Sequence, residues 1–416
     1  MAGSTRLGIW SFAAATAESQ LLLACFWAIR RQQPVVQLTV DITEPNGGTT
    51  THVVGYSACT PWSFANTVAT ALDSLADVPV RLRRDIPLKA SDDNSDAPTT
   101  HPYPSTATML ASATQRFGRW THRATASFGR SDYWNVGVLP RPIESLRDKP
   151  DLHDVVWWPE RSRHRFPADP FMVRIGDDDA VLAEDYDERA HRGVIRAFSA
   201  NGTPKDVLLD QEPHVSYPFT FTWDGETYCL PESSRSGRNT LWRLGNDGQL
   251  VEVADLLPGV PLVDATICWY DDRWWLFASL ADRQPLQKLY VWHASSPTGP
   301  WEPHAANPVK IDPRDSRPGG TMFTHRGRLV RPSQDCSVTY GGALSLTEIR
   351  ALSTTEFDEA HVGQVQPSAN SRYDRGCHTV SPLGADRTLV DGKRVHFTRH
   401  ALSRGRVRVS RRRQAG

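Results

Sequence analysis

The sequence predicts an all-β chain: a five-bladed β-propeller preceded by a small α/β segment. Two observations carry that expectation. A strand–turn–strand pattern recurs five times, and in four of the copies the opening and closing residues lie 15 apart. The openings recur every 48, 47, 56 and 58 residues, close to the roughly 40–50-residue period of a propeller blade. Coincidental spacing in an open β-sandwich is the alternative, and the repeated 15-residue interval argues against it.

The copies follow in order. "ADPFMVRIGDDDAVLAED" opens on Asp169, turns at Gly176 to Asp179 and closes on Glu184. "HVSYPFTFTWDGETYCLPES" alternates apolar and polar residues from Tyr217, turns at Asp224-Gly225 and closes on Glu232. "DATICWYDDRWWLFAS" runs from Asp264 to Ser279 with a turn at Asp271-Asp272. "GTMFTHRGRLVRPSQD" runs from Gly320 to Asp335 with a turn at Arg326-Gly327. The looser fifth copy, "CHTVSPLGADRTLVDG", opens near His378. Segments such as "TLWRL" and "LYVWHAS" supply the outer strands.

In a propeller the inner strand of each blade runs along the central channel, so corresponding strand ends gather around one mouth. That places Asp169, Glu184, His214, Tyr217, Glu232, Asp264, Asp335 and His378 together, although they are far apart in sequence. Arg317 and Arg331 can pair with these carboxylates. Arg331, Gln334 and Asp335, in "RPSQD", can hold sugar hydroxyls or a phosphate; Arg331 can equally be a structural partner of Asp335.

Outside the repeats, residues 1–88 mix apolar runs with a helical stretch, "SFANTVATALDSLADV", which Ser63 can cap. Residues 89–130, opening on the polar "KASDDNSDAPTTHPYPSTAT", read as a disordered linker. Order resumes at "YWNVGVLPRPIESL", and the propeller is expected over 131–398 with a basic tail at 399–416.

Formal net charge is zero, but the tail holds seven arginines and no acid, which leaves the other 398 residues at −7. The body is therefore not a nucleic-acid binder by bulk charge. The tail can touch an anionic surface or be a frayed solubilising end. Six cysteines without CxxC or finger spacing argue against a metal cluster or disulfide framework and fit reduced thiols in a cytoplasmic protein. No signal peptide is visible, and "LLLACFWAI" is too short to span a bilayer; it reads as a buried helix or strand. The 14 tryptophans suit sugar stacking, while Trp274, Trp275 and Trp301 sit where core packing is expected.

The motifs "FPADPF", "HVSYPFTF", "CLPES", "VDATI", "RWWLFAS", "GPWEPHAANPV", "RPSQD" and "CHTV", in that order, resemble the N-terminal domain of plant glucosamine inositolphosphorylceramide transferases and their bacterial homologues. The resemblance spans Tyr133 to Arg394 and implies a glycosidase-like propeller of the arabinanase and xylosidase type. In the plant family, sugar transfer belongs to a separate C-terminal glycosyltransferase domain, and no segment here resembles that domain. A second resemblance, in "LGIWSF", "QLTVDI", "NGG" and "TPWSFAN", is to a formyltransferase-like domain. The polar stretch expected after "GIWSF" is "AAATAES", so this segment is expected to be a truncated remnant without formyl transfer.

The propeller resemblance implies roles. "ADPF" looks like the base-bearing first blade of propeller glycosidases, making Asp169 the base; "VDAT" looks like their second Asp, making Asp264 a tuning or orienting group. Glu232 is the best acid, since glycosidic cleavage uses a carboxylic acid and a carboxylate base or nucleophile. The pattern departs from those enzymes at Tyr217-Pro218, where an Asp is expected. His378 resembles their axial histidine, which helps hold a central cation or water. Two functions stay open: glycoside hydrolysis through Asp169, Glu232 and Asp264, or a non-catalytic module that binds a carbohydrate, sugar-phosphate or glycolipid headgroup for a partner glycosyltransferase.

Overall fold

A computed structural model describes residues 9–11, 18–43, 47–79, 101–126, 130–176 and 178–397. Five antiparallel sheets form a five-bladed β-propeller. Blade 1 comprises Arg165–Ile175, Asp178–Asp187, Arg192–Ser199 and Pro204–Leu209. Blade 2 comprises Ser216–Trp223, Glu226–Glu232, Thr240–Leu244 and Leu250–Asp255. Blade 3 comprises Leu262–Tyr270, Arg273–Leu280, Lys288–Ala294 and Glu302–Pro303, with Lys310–Ile311 on its third strand. In blade 4 the inner strand is split into Arg317–Pro318 and Phe323–His325, followed by Arg328–Asp335, Ala343–Leu352 and Phe357–Val365.

Blade 5 closes the ring from both sides of the sequence. Val380–Leu383 and Arg387–Phe397 are joined by Arg130–Leu139 and Val156–Trp157, which precede blade 1. The seam pairs Thr388 with Leu139 through to Phe397 with Arg130. A continuous ladder at the closure leaves no open edge there.

Local chemistry explains the repeat. Three hairpins turn through two successive left-handed residues: Asp224-Gly225 (φ 51° and 76°), Asp271-Asp272 (51° and 57°) and Arg326-Gly327 (50° and 79°). Such turns match the strand twist and favour Asp and Gly. At the other end of the inner strand the register shifts between Ala168 and Phe171, Ser216 and Phe219, and Val263 and Thr266. The bulge residue in each case is the repeat's opening residue, with positive φ: Asp169 at 52°, Tyr217 at 43° and Asp264 at 51°. Gly320 occupies the fourth opening at 117°. Buried aromatic and aliphatic side chains fill the spaces between blades, and Trp274, Trp275 and Trp301 are among them.

Ahead of the propeller, Ile9–Ser11, Val35–Thr43 and Thr49–Ala58 form a three-stranded antiparallel sheet with helices α1 (Glu18–Arg31) and α2 (Phe64–Leu75). Ser63 caps α2 by accepting from Asn66 N at 3.2 Å, as expected. The "LLLACFWAI" run is part of α1, with Cys25 and Ile29 buried. Among the described residues no helix is long and apolar enough to cross a membrane. This unit rests on blade 3. Buried Lys288 Nζ lies 2.8 Å from Asp77 Oδ2, Gln287 Nε2 donates to Ser74 Oγ at 2.8 Å, and Ile311 joins the unit's apolar core.

The linker reading needs correction in part. Within 89–130, Thr106–Ala126 forms a helix, α3. Its Ser, Thr and Gly content obscures an apolar spacing of three and four. Residues 89–100 and the basic tail at 399–416 lie outside the described residues.

Candidate functional site

The inner-strand ends surround a cavity of about 860 Å³, lined by Asp169, Glu184, His214, Glu232, Asp264, Arg317 and His378 among others. Each carboxylate has its own surroundings.

Asp264 is 3% exposed and clamped. Its Oδ2 accepts from Arg317 Nε and from Gln334 Nε2, both at 2.6 Å. Glu232 reaches in from the second strand of blade 2 and shares a hydrogen bond with Asp264. Ser234 Oγ donates to Glu232 Oε1 at 2.9 Å. Burial, reinforced by the Asp264 charge and only partly offset by Arg317, pushes the Glu232 carboxyl up to about 8. Glu232 therefore holds its proton at neutral pH.

Asp169 Oδ1 accepts from Thr379 Oγ1 at 2.7 Å and lies 3.7 Å from His378 Nε2. Burial and the charges of Asp264 and Asp391 raise Asp169 to about 6 against the pull of His378, leaving it mostly ionised at pH 7. His378 Nδ1 stands 2.5 Å from Asp391 Oδ2, and its ring stacks on Trp134 with centroids 3.8 Å apart. Burial alone would lower the His378 pKa, but Asp391 and Asp169 outweigh it and raise it.

Glu184 faces the same cavity from blade 1. Its Oε1 is buried without a hydrogen-bond partner, and His214 Nε2 lies 3.7 Å away. Burial, with Asp169, Glu232 and Asp264 adding repulsion, raises its pKa well above the ordinary carboxylate range. His214 Nδ1 accepts from Gly193 N at 2.8 Å, which puts the proton of its neutral ring on Nε2, toward Glu184. Burial and the nearby arginines lower His214 to about 4, so the ring stays neutral.

Four residues expected to touch substrate have other settings. Tyr217 is fully buried; its hydroxyl pairs with Thr266 Oγ1 at 2.9 Å and accepts from Gly320 N at 2.8 Å, bracing blade 2 against blade 4. Gln334 lies behind Asp264 and also donates to the Pro318 carbonyl at 2.8 Å. Arg331 pairs with Glu359, not Asp335: its Nε and Nη2 donate to the two carboxylate oxygens at 2.9 and 2.6 Å. Asp335 accepts from Ser337 Oγ at 2.6 Å and Gln364 Nε2 at 2.7 Å. In blade 4 Arg317 faces Gln334 and Pro318 faces Ser333, a register displaced from that of blades 1 to 3. The displacement carries Asp335 beyond the rim and brings Arg317 into the mouth.

Sequence reasoning missed Asp391, Trp134 and Tyr340. Asp391 lies in the apolar "TLVDG" run of blade 5, where its Oδ1 accepts from His378 N (2.9 Å) and Thr379 N (3.1 Å), contacts that leave no sequence mark. Trp134 belongs to the strand that closes the ring, so its place beside His378 is visible only after closure. Asp169, His378 and Asp391 each offer one ligand atom, all within 4.8 Å of one another, the one such group among the described residues. Two carboxylates and an imidazole suit a cation of mixed nitrogen and oxygen preference, but it would compete with the proton shared by His378 and Asp391.

Fold and site together define a five-bladed propeller whose axial mouth gathers the carboxyl groups of Asp169, Glu184, Glu232 and Asp264 beside Arg317, His214 and His378. The family model for "Glucosamine inositolphosphorylceramide transferase 1, N-terminal" matches residues 161–377, just over half of the chain. This chain belongs to that family. It is 34% identical to glucosamine inositolphosphorylceramide transferase 1 of Arabidopsis thaliana over 285 residues, covering 59% of this chain and 36% of the relative. The Oryza sativa subsp. japonica protein of the same name is 34% identical over 207 residues, covering 47% of this chain and 28% of the relative. The chain thus spans about a third of the length of these relatives. Among solved structures, an α-L-arabinofuranosidase of Clostridium thermocellum is similar at 12% identity and a TM-score of 0.34, covering 48% of this chain and 74% of that one. A family 117 glycoside hydrolase of Zobellia galactanivorans is similar at 15% identity and a TM-score of 0.38, covering 54% and 74%.

Proposed function

We propose that the mouth binds a carbohydrate, sugar-phosphate or glycolipid headgroup and performs acid–base chemistry at a glycosidic linkage of it. The observation that carries this is the pairing of a protonated Glu232 with a clamped Asp264 in one open cavity with Asp169. Glu232 is the general acid that protonates the leaving oxygen. Asp169 is the base or nucleophile, and Asp264 holds Glu232 in position. The unpartnered Glu184 Oε1 and the His214 Nε2–H are set to meet sugar hydroxyls.

A second reading is a headgroup-binding module serving a glycosyltransferase partner. The tight hold of Thr379 and His378 on Asp169 favours it, because a carboxylate so engaged is less available for catalysis.

The experiment is Glu232→Gln, which keeps shape but cannot donate the acid's proton. The catalytic reading expects turnover to fall at least about a hundredfold with ligand affinity within about tenfold. The binding reading expects every activity to persist. A thermal-shift screen of neutral, amino and phosphorylated sugars on wild type and Asp169→Asn supplies the ligand; silence from the wild type across that panel would sink both readings.

A further inference from the structure

Helix α3 presents to solvent a face of a kind that folded chains ordinarily cover. Met109, Leu110, Phe117 and Trp120 are 50, 65, 67 and 55% exposed. With the exposed Ala113 and Ala124 they recur three, four and seven residues apart, which puts them on one side of the helix. The Phe117 and Trp120 rings stack with centroids 6.2 Å apart.

The opposite side of α3 is held by the protein. Ser112 is buried, Arg119 Nη1 donates to the Ile29 carbonyl at 2.7 Å, and Arg30 Nη1 donates to Gln115 Oε1 at 3.2 Å. The helix is thus fixed to α1 with its apolar side outward. Its charge has one sign: Arg116, Arg119 and Arg123 lie in Thr106–Ala126 and no acid does. Arg30 and Arg31 end the neighbouring α1. The C-terminal end of α3 reaches the mouth, where Arg123 lies 3.9 Å over the Trp62 ring and lines the axial cavity.

We infer that α3 is a membrane-surface helix, which lays Met109, Leu110, Phe117 and Trp120 into the headgroup region of an anionic bilayer and holds the mouth near that surface. Aromatic and aliphatic side chains on one face with arginine and no acid on the flanks are the chemistry of an interfacial helix. Anionic headgroups supply the charge that the helix lacks. A second copy of the chain fits less well, since α3 packed on α3 would set arginines against arginines with no acid on either helix. Lipid binding stands without the carbohydrate reading; the consequence for the mouth, a headgroup as ligand, rests on it.

The test is co-sedimentation of the full chain with phosphatidylcholine vesicles, with and without phosphatidylserine. Wild type is expected to sediment with the phosphatidylserine vesicles and less with phosphatidylcholine alone. Phe117→Ser combined with Trp120→Ser should cut the bound fraction about tenfold or more. Leu110→Ser, at another exposed position, gives a second reading should the double variant lose its circular-dichroism signal. Glu232→Gln should bind vesicles like wild type, so failure of the carbohydrate chemistry is seen separately. Folded wild type that stays in the supernatant, or serine variants that sediment unchanged, would overturn the inference. So would a wild-type dimer that the serine variants dissociate without any vesicle binding, because the face would then belong to a second copy.

Discussion

Replacing Arg331 by Met separates a structural arginine from a ligand-binding one. Arg331 is 1% exposed and its fork meets both oxygens of Glu359. Lys310 Nζ lies 2.8 Å from the same carboxylate. Burial alone would raise the Glu359 pKa, but Arg331 and Lys310 outweigh it and hold it at about 2, below its ordinary 4.5. At about 1.4 kcal/mol per pH unit, that difference corresponds to a stabilisation on the order of 3 kcal/mol at neutral pH. Breaking a buried pair by removing one partner costs about 3–5 kcal/mol, and the remaining Lys310 argues for the lower end. The sign follows from the depressed pKa. The contribution is present above the unfolded carboxylate range and is lost as pH falls toward about 2. Urea unfolding of Arg331→Met should therefore show a loss of about 3 kcal/mol at pH 7 that shrinks by pH 3. Ligand affinity of the folded variant should match wild type. A loss under about 1 kcal/mol, or one independent of pH, would refute the argument, and abolished ligand binding in a fully stable variant would return Arg331 to the mouth.

Two further outcomes are expected, beside those for Glu232 and α3. If the mouth is catalytic, kcat/KM should trace a bell against pH, falling below about 6 as Asp169 takes a proton and above about 8 as Glu232 loses one; a profile without those two falling limbs would exclude the pair. Lys288→Met should loosen the N-terminal unit, because Lys288 Nζ reaches Asp77 Oδ2 at 2.8 Å and the Asp73 carbonyl at 3.2 Å; faster release of that unit in limited proteolysis checks it.

The repeat was legible because its two ends are chemically marked. Turns through left-handed residues select Asp and Gly, and the bulge at the inner-strand end selects a residue that tolerates positive φ. Blade 4 shows where the reading stops. The sequence interval from Gly320 to Asp335 equals that of the other blades, yet the pairing of Arg317 with Gln334 displaces the strands. Register is decided by packing between strands, and a spacing alone does not carry it. The partner of Arg331 was illegible for a related reason. Glu359 comes from the outer strand of blade 4, outside the repeated hairpin, and reaches Arg331 across the sheet. Helix α3 was hidden by composition, since a Thr- and Ser-rich stretch with arginines looks like linker until its apolar side is traced.

The strained openings connect fold to site. Asp169, Tyr217 and Asp264 hold φ between 43° and 52°, a region costing on the order of 1 kcal/mol or more for residues with a side chain. Blade 4 avoids the strain with Gly320, where a Cβ would meet the Val380 carbonyl oxygen at 1.9 Å. Tyr217 holds the strained geometry for a structural end, since its hydroxyl takes the Gly320 N–H and so fastens two blades across the channel. Asp169 and Asp264 hold it while facing the cavity, each anchored by neighbouring blades: Thr379 and His378 from blade 5 for the first, Arg317 and Gln334 from blade 4 for the second. The bulge thus turns two carboxylates toward one space, and contacts from adjacent blades fix them there. A scaffold that needed only bracing could use the tyrosine–glycine arrangement at every opening. Concentrating acids at two openings, beside Glu184 and Glu232 on the adjoining strands, adds desolvation and repulsion that bracing does not require. That excess is the physical argument for a ligand in the mouth.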